Sequence, residues 1–278
     1  MGTLVCFHAH PDDECIATGG VMARASARGH RVVLVTATRG EHGEVAPGVL
    51  GPTEPLAHRR AEELAQAAHL LGVHRQEFLG YVDSGMMGTL TNGAPGSFWS
   101  ADIDEAAGRL AAILTDERAD VLTVYDDHGG YGHPDHIQVH RVGVRAAELA
   151  GTPRVYEATM DRDRMQALMT EAASGSGRIP VDSQLASMAR AMADEGMTEM
   201  GTPAEVITTR VDVTPWLGAK RAAMVAHASQ IAPSSWFLSI PSWAFALAFG
   251  EEAFVRRADG SDEVVGRPVE DDLLAGIG

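Results

Sequence analysis

Three consecutive segments decide the fold: Thr3-Leu4-Val5-Cys6-Phe7, IATGGVMARASAR over 16–28, and RVVLVT over 31–36. The first and third are short, apolar and rich in β-branched residues, as strands buried on both faces are. The middle segment reads as a helix and stops at Gly29, a residue suited to the left-handed position after a helix end. Strand, helix and strand in this order make a βαβ unit, with parallel strands and a right-handed crossover.

Outward from this unit the alternation continues. Helices are expected over 60–71, 102–117 and 136–150, and strands over 77–81, 120–125 and from 152 to 157. A strand at 207–213 and a helix at 216–229 follow later. The apolar run 236–249 is interrupted by Pro241 and is too short to span a bilayer, so it reads as a buried helix or a flap over the core. The pattern predicts an α/β fold, a mostly parallel sheet with helices on both faces, and ligands beyond the carboxyl ends of its strands. Residues 1–278 read as a single domain in which 159–200 is a helical insertion or lid. Met160, Met165, Met169, Met188, Met192, Met197 and Met200 lie there, where they would fill a small core of their own, with the SGSG at 174–177 as a turn between two helices.

A formal net charge of -16 repels phosphate backbones and anionic lipids, which argues against nucleic acid and membrane as partners. The two cysteines, Cys6 and Cys15, imply no disulfide framework and suit a reducing cytoplasm. The first residues show neither the basic nor the long apolar region of a signal peptide, so a cytoplasmic location is expected.

Two short segments concentrate metal-binding side chains. His8-Ala9-His10-Pro11-Asp12-Asp13-Glu14 follows the first strand directly, and Gly132-His133-Pro134-Asp135-His136 lies just beyond the strand ending at Tyr125. His10 and Asp13 are three residues apart, as are His133 and His136, and each pair straddles a proline suited to a first helical turn. That spacing lets both side chains of a pair face one point. Two histidines and one carboxylate leave a coordination position open, as a catalytic zinc site requires. Iron(II) and manganese suit the same donors. The plainer reading is of surface loop residues, with Asp12 or Asp13 capping the helix that follows. Two such motifs at two strand ends favour the metal site. Asp12 adjoins the donors without having to bind, as suits a general base acting on a water whose pKa the metal lowers towards ~7. His133, protonated, suits the partner that stabilises an oxyanion or donates to a departing amine.

AHPDDE at 9–14 together with GHPDH at 132–136 resembles the LmbE-like, PIG-L-type zinc N-deacetylases. The likeness covers about the first 155 residues and resumes over Lys220 to Gln230. It implies a Rossmann-like fold, one zinc ion per chain, and removal of acetyl from N-acetylglucosaminyl groups of small glycoconjugates. It implies His10, Asp13 and His136 as zinc ligands, Asp12 as general base, and His133 as the histidine that stabilises the tetrahedral intermediate. Within the family the chain is most similar to the branch of mycothiol biosynthesis, which acts on an N-acetylglucosaminyl inositol. Gly40-Glu41-His42-Gly43-Glu44-Val45, Asp83-Ser84-Gly85-Met86, Gly129-Gly130-Tyr131-Gly132 and the tail 271–276 carry that likeness. Arg60, three residues before Glu63, stands at the position of a substrate-binding arginine. Glu44, Arg60, Asp83, Met86 and Asp135 are therefore the expected substrate contacts, and Tyr131 a hydroxyl able to swing towards the carbonyl oxygen. Taken alone, Glu44 also reads as a solvated loop charge and Arg60 as a helix-surface residue paired with Glu63.

Three departures stand beside the likeness. Tyr81 and Val82 replace a tryptophan and an arginine, the methionine-rich stretch has no counterpart, and Cys15 to Gly20 lacks the lysine of the sister amidases. An amidase acting on mycothiol conjugates and a deacetylase of an antibiotic pathway are the neighbouring alternatives. Iron(II) oxygenases share the donor set, but on an all-β scaffold. A non-catalytic sugar- or metal-binding module would need neither Asp12 nor His133. The expected partner is a small N-acetylated sugar, and the sequence leaves a homo-oligomer open.

Overall fold

The computed structural model describes residues 1–45, 48–174, 200–257 and 269–277. Among these, one sheet is built from β1 (Thr3–His8), β2 (Arg31–Thr36), β3 (Arg75–Phe78), β4 (Val121–Tyr125), β5 (Arg154–Thr159), β6 (Thr209–Asp212) and β7 (Glu251–Arg256). Their order is β3-β2-β1-β4-β5-β7-β6. The pairings from β3 to β5 are parallel, and β7 pairs antiparallel with both β5 and β6. The helices are α1 (Asp13–Ala17), α2 (Gly19–Ala27), α3 (Leu56–Leu70), α4 (Ile103–Asp116), α5 (Pro134–Ala150), α6 (Arg162–Ser174), α7 (Leu217–Ala226) and α8 (Ser242–Phe249).

Alternation along β1 feeds two cores. Leu4 and Cys6 pack with Met22, Leu34, Leu64 and Phe254 on one face of the sheet. Val5 and Phe7 pack with Val35, Leu110, Val139 and Val142 on the other. Each large apolar side chain fully buried in this way contributes roughly 1.5–3 kcal/mol. A one-residue slip of β1 would exchange the two faces, so the burial fixes its register.

The expected βαβ unit is present, with Thr3 opposite Arg31 through to His8 opposite Thr36. Its helix is not the single element expected over 16–28. It is α1 and α2, separated at Thr18 (φ -135°). The cause lies far away in sequence. The Glu252 carboxylate accepts the N–H groups of Gly20 (2.7 Å) and Val21 (2.8 Å), which makes a new helix start there. Buried Lys220 balances that carboxylate at 2.5 Å. Gly20 is required at this crossing, because a Cβ would stand 2.4 Å from Val213 Cβ.

Strand β7 was not expected. Its sequence opens on two glutamates, and the burial of Glu252 hides the strand from a hydropathy reading. The run 236–249 divides at Pro241 into a single turn and α8, and Trp236, Phe237, Phe245 and Phe249 pack against the first core. No described helix is long and apolar enough to cross a membrane. Of the methionine-rich stretch, α6 is helical. Residues 175–199, with Met188, Met192 and Met197, lie outside the described residues, and with them the expected second helix and most of the expected insertion or lid over 159–200.

Candidate metal centre

The strand order reverses beside β1 and β4, with β2 continuing one way and β5 the other. Ligands of such sheets bind beyond the carboxyl ends of these strands, and the two histidine loops meet there. After β1 the chain turns through His10, Pro11 and Asp12 into α1. Asp12 is the N-cap, with φ 116° and ψ -29°, a left-handed conformation costing roughly 1–3 kcal/mol for a residue with a Cβ. After β4, a glycine-rich turn leads to α5, whose N-cap is His133 and whose first residue is Pro134. The Asp135 N–H donates to His133 Nδ1 at 3.1 Å, so the proton of the neutral ring is on Nε2.

The Asp13 carboxylate lies between two imidazoles. Its Oδ2 is 3.3 Å from His10 Nδ1 and its Oδ1 is 3.4 Å from His136 Nε2. The His10 ring lies 4.7 Å from that of His133 and 5.4 Å from that of His136. On the far side of His10, Nε2 faces Asp135 Oδ2 at 3.1 Å and Asp83 Oδ1 at 3.5 Å. Backbone N–H groups hold these two carboxylates, Ser84 for Asp135, and His42 and Gly85 for Asp83. Tyr125 stacks on His136 at 4.3 Å. Tyr131 meets His133 and His136 edge-on, at 6.2 and 5.0 Å, with much of its surface exposed.

The donors fit a divalent cation. His136 Nε2 is buried and has no hydrogen-bond partner among the described residues. Such an orphan costs about 1–3 kcal/mol, which a cation on its lone pair would remove. A tetrahedral ion with bonds of ~2.0–2.2 Å holds its ligand atoms about 3.3–3.6 Å apart. The two Asp13–imidazole separations lie within that range. His10, His133 and His136 also present nitrogens within 4.8 Å of one another. Asp83 and Asp135 stand behind His10 as carboxylates stand behind metal-bound histidines, fixing the ring.

Burial opposes charge on His10, but Asp13, Asp135 and Asp83 outweigh it and hold the imidazole well above its ordinary pKa. Burial likewise opposes ionisation of Asp13, and His136 and His10 reverse this, keeping its carboxyl well below the usual range. At Asp12 burial wins. The carboxyl is raised to about 6, with Arg60 pulling it down and Asp13 pushing it up. Burial, with His10 and His136 nearby, pushes His133 down to about 4. Its resting ring is therefore neutral, where the sequence suggested a cation.

Arg60 is 3% exposed, and its guanidinium is engaged within the fold. It donates to the carbonyls of Gly40 (2.9 Å) and Pro11 (2.5 Å) and to Asp12 Oδ1 (3.0 Å). Gly40 and Gly43 cradle it, since a Cβ on either would come within 2.2 or 2.4 Å of Nη1. Nor does it pair with Glu63, whose carboxylate accepts the N–H and hydroxyl of Ser229. Asp83 and Asp135 are buried behind His10. Glu44 and Met86 stand exposed on their loops, outside the cluster. Three residues of the site were not singled out from sequence. Glu41 accepts the Asp83 N–H at 3.0 Å, and His227 contacts Glu14 at 2.6 Å. Glu14 stands in the HPDDE motif, and His227 in the segment where the family likeness resumes.

The profile described as PIG-L: GlcNAc-PI de-N-acetylase matches residues 5–147. A protein of Thermobifida fusca (strain YX), named 1D-myo-inositol 2-acetamido-2-deoxy-alpha-D-glucopyranoside deacetylase, is 42% identical over 248 residues, 82% of this chain and 83% of that protein. One of the same name from Salinispora arenicola (strain CNS-205) is 42% identical over 294 residues, 99% of this chain and 91% of that protein. Among solved structures, N,N'-diacetylchitobiose deacetylase from Pyrococcus horikoshii aligns with a TM-score of 0.55 at 20% identity, covering 92% of this chain and 83% of its own. At that identity the likeness speaks for the fold. The profile contains both histidine motifs and the relatives run along most of the sequence, so the chain belongs to the family described as PIG-L, GlcNAc-PI de-N-acetylase.

Proposed function

We propose that the chain is a zinc-dependent N-deacetylase that hydrolyses the acetamide of an N-acetylglucosaminyl glycoconjugate. The inositol-linked sugar named for its 42% identical relatives is the leading substrate. The observation that carries this reading is the Asp13 carboxylate set between His10 and His136, with the carboxyl of Asp12 close enough to feel its charge. His10, Asp13 and His136 would hold the ion. Zinc, when bound, acts as a Lewis acid and lowers the pKa of water towards ~7.

The chain's own residues then divide the proton work. Asp12, with its carboxyl at about 6, is ionised at neutral pH and takes a proton as the water oxygen attacks the carbonyl carbon. The Nε2–H of His133 donates a hydrogen bond to the carbonyl oxygen as that oxygen gains charge. The Tyr131 hydroxyl serves the same oxygen. When the C–N bond breaks, the proton held by Asp12 passes to the departing amine, leaving acetate and a free amino sugar. Asp83 and Asp135 keep His10 in place, and Arg60 braces Asp12. Glu44 and Met86, exposed on their loops, are assigned to the sugar. Cys6 and Cys15, both free and buried, suit a reducing cytoplasm.

The test is release of primary amine from a panel of N-acetylglucosaminides by the zinc-loaded protein. The panel includes the inositol-linked sugar and N,N'-diacetylchitobiose. Amine is expected from the inositol-linked sugar. No amine from any member would refute the proposal.

A further inference from the structure

Behind the Asp12 peptide lies a buried pair that the reaction outlined above does not use. Glu14 and His227 are both wholly buried. His227 Nε2–H donates to Glu14 Oε1 at 2.6 Å, and Asp12 N–H donates to Glu14 Oε2 at 2.9 Å. One carboxylate thus ties the end of α7, where His227 is the C-cap, to the peptide of Asp12. The Cys15 thiol holds the other end of that residue, donating to the Asp12 carbonyl at 2.9 Å. Donor atoms of Glu14, Cys15 and His227 lie within 4.8 Å of one another. Both Glu14 oxygens and the thiol are already hydrogen-bonded, so this cluster is closed and not arranged for a second ion. His227 Nδ1 is buried with no partner among the described residues. An apolar side chain would fill the same space without that orphan, so the polar contact to Glu14 is what the position requires.

Asp12 is held at φ 116°, and strained conformations persist only where the surroundings over-determine them. Relaxation of this peptide to an ordinary conformation would swing the Asp12 carboxylate away from Arg60. We propose that His227, acting through Glu14, is a positioning residue that keeps Asp12 in its left-handed conformation and so aims its carboxylate at the reacting water. The proposal rests on the reading of Asp12 as the proton acceptor.

The test uses the full-length chain with His227→Leu, His227→Gln, Glu14→Gln and Asp12→Ala. Glutamine carries its amide nitrogen as many bonds from Cα as histidine carries Nε2, so His227→Gln can still donate to Glu14. His227→Leu is expected to lower kcat roughly 10- to 100-fold, as small misplacements of catalytic groups do, with KM and zinc content retained. His227→Gln recovers most of that loss. In an Asp12→Ala background, His227→Leu adds no further loss, because both changes act through one group. A readout independent of turnover is amide hydrogen exchange at Asp12 in the metal-free protein. Exchange there should accelerate at least ~10-fold in His227→Leu and return in His227→Gln, with β1 amides unchanged. Should His227→Leu not fold, Glu14→Gln reads the same clamp, since one amide oxygen then serves two donors. Wild-type kcat in His227→Leu, an equal fractional loss in the Asp12→Ala background, or unchanged Asp12 exchange would each overturn the proposal. If Asp12→Ala itself keeps the full rate, the reading of Asp12 fails first, and the exchange result separates that failure from a failure of the clamp.

Discussion

Replacing Arg60 by methionine removes the cation 3.0 Å from Asp12 Oδ1 while keeping much of the side-chain volume. An opposite charge this close lowers a carboxyl by about 1–3 pH units. Asp12 keeps a fifth of its side chain open to solvent, at 20%, which places the effect near the lower end, about one to two pH units. With Arg60 present the carboxyl is at about 6. Without it, ionisation moves to about pH 7–8. The ionised fraction at neutral pH then falls from about nine-tenths to between one-half and one-tenth. The expected result is a roughly 2- to 10-fold loss of kcat/KM at pH 7 that recovers by about pH 9. The sign follows from the role: Asp12 works deprotonated, so raising its pKa moves the acid limb upward. A bound cation lowers the limb in both proteins, so the displacement between their profiles is the quantity to read, from amine release between about pH 5 and 10. A loss by one factor at every pH would refute the bracing of Asp12. It would return Arg60 to the sugar contact read from the sequence.

Asp12→Ala is expected to keep its zinc and lose roughly 10²–10⁴-fold in rate, whereas Asp13→Ala loses the metal; zinc analysis of both variants checks this, and the reverse pattern would exchange their roles. His133→Ala should lower kcat far more than it changes KM, the mark of an interaction made in the transition state, and a near-normal kcat would make His133 a bystander. Gly20→Ala drives a Cβ to 2.4 Å from Val213 Cβ, so a loss of about 1–3 kcal/mol is expected from overpacking. It is read from the urea midpoint, and an unshifted midpoint would count against the close crossing. Removing the metal with a chelator should abolish amine release, and added zinc should restore it; activity that survives chelation would remove the metal from the mechanism.

The parts of the fold legible in the sequence are those where local pattern and tertiary burial agree. Val32 to Val35 are apolar because both faces of β2 are covered, and Gly29 and Gly72 follow helix ends with positive φ. Break points set by distant partners were not legible. Nothing near Thr18 announces that Glu252 will cap Gly20 and Val21 from the far end of the chain. The two histidine motifs could be read because proline, spacing and strand-end position recur in both. Arg60 was read from its place in a likeness, which tells where a residue stands and not which way its charge points. The packing of the loops after β1 and β2 around it places its guanidinium against Asp12. Glu14 and His227 are 213 residues apart, and no periodicity links them.

His10 sits among three carboxylates, and a ring so surrounded carries a proton when it carries no cation. Its pKa is held well above the ordinary value, so at neutral pH the metal-free imidazole is charged. Metal uptake is therefore an exchange, ion in and proton out. The proton also stabilises the metal-free fold. That contribution is complete below the ordinary histidine value of ~6.5 and is lost as pH rises through the raised one. Asp13, held low, contributes stability above the ordinary carboxyl value of ~4 that is lost only as pH falls through its depressed one. The metal-free site is best satisfied in mild acid, and the metal-bound site in mild alkali. Protein isolated at about pH 5.5 should accordingly be well folded and poor in metal, and loading it in weak buffer near pH 7 should acidify the solution by about one proton per ion.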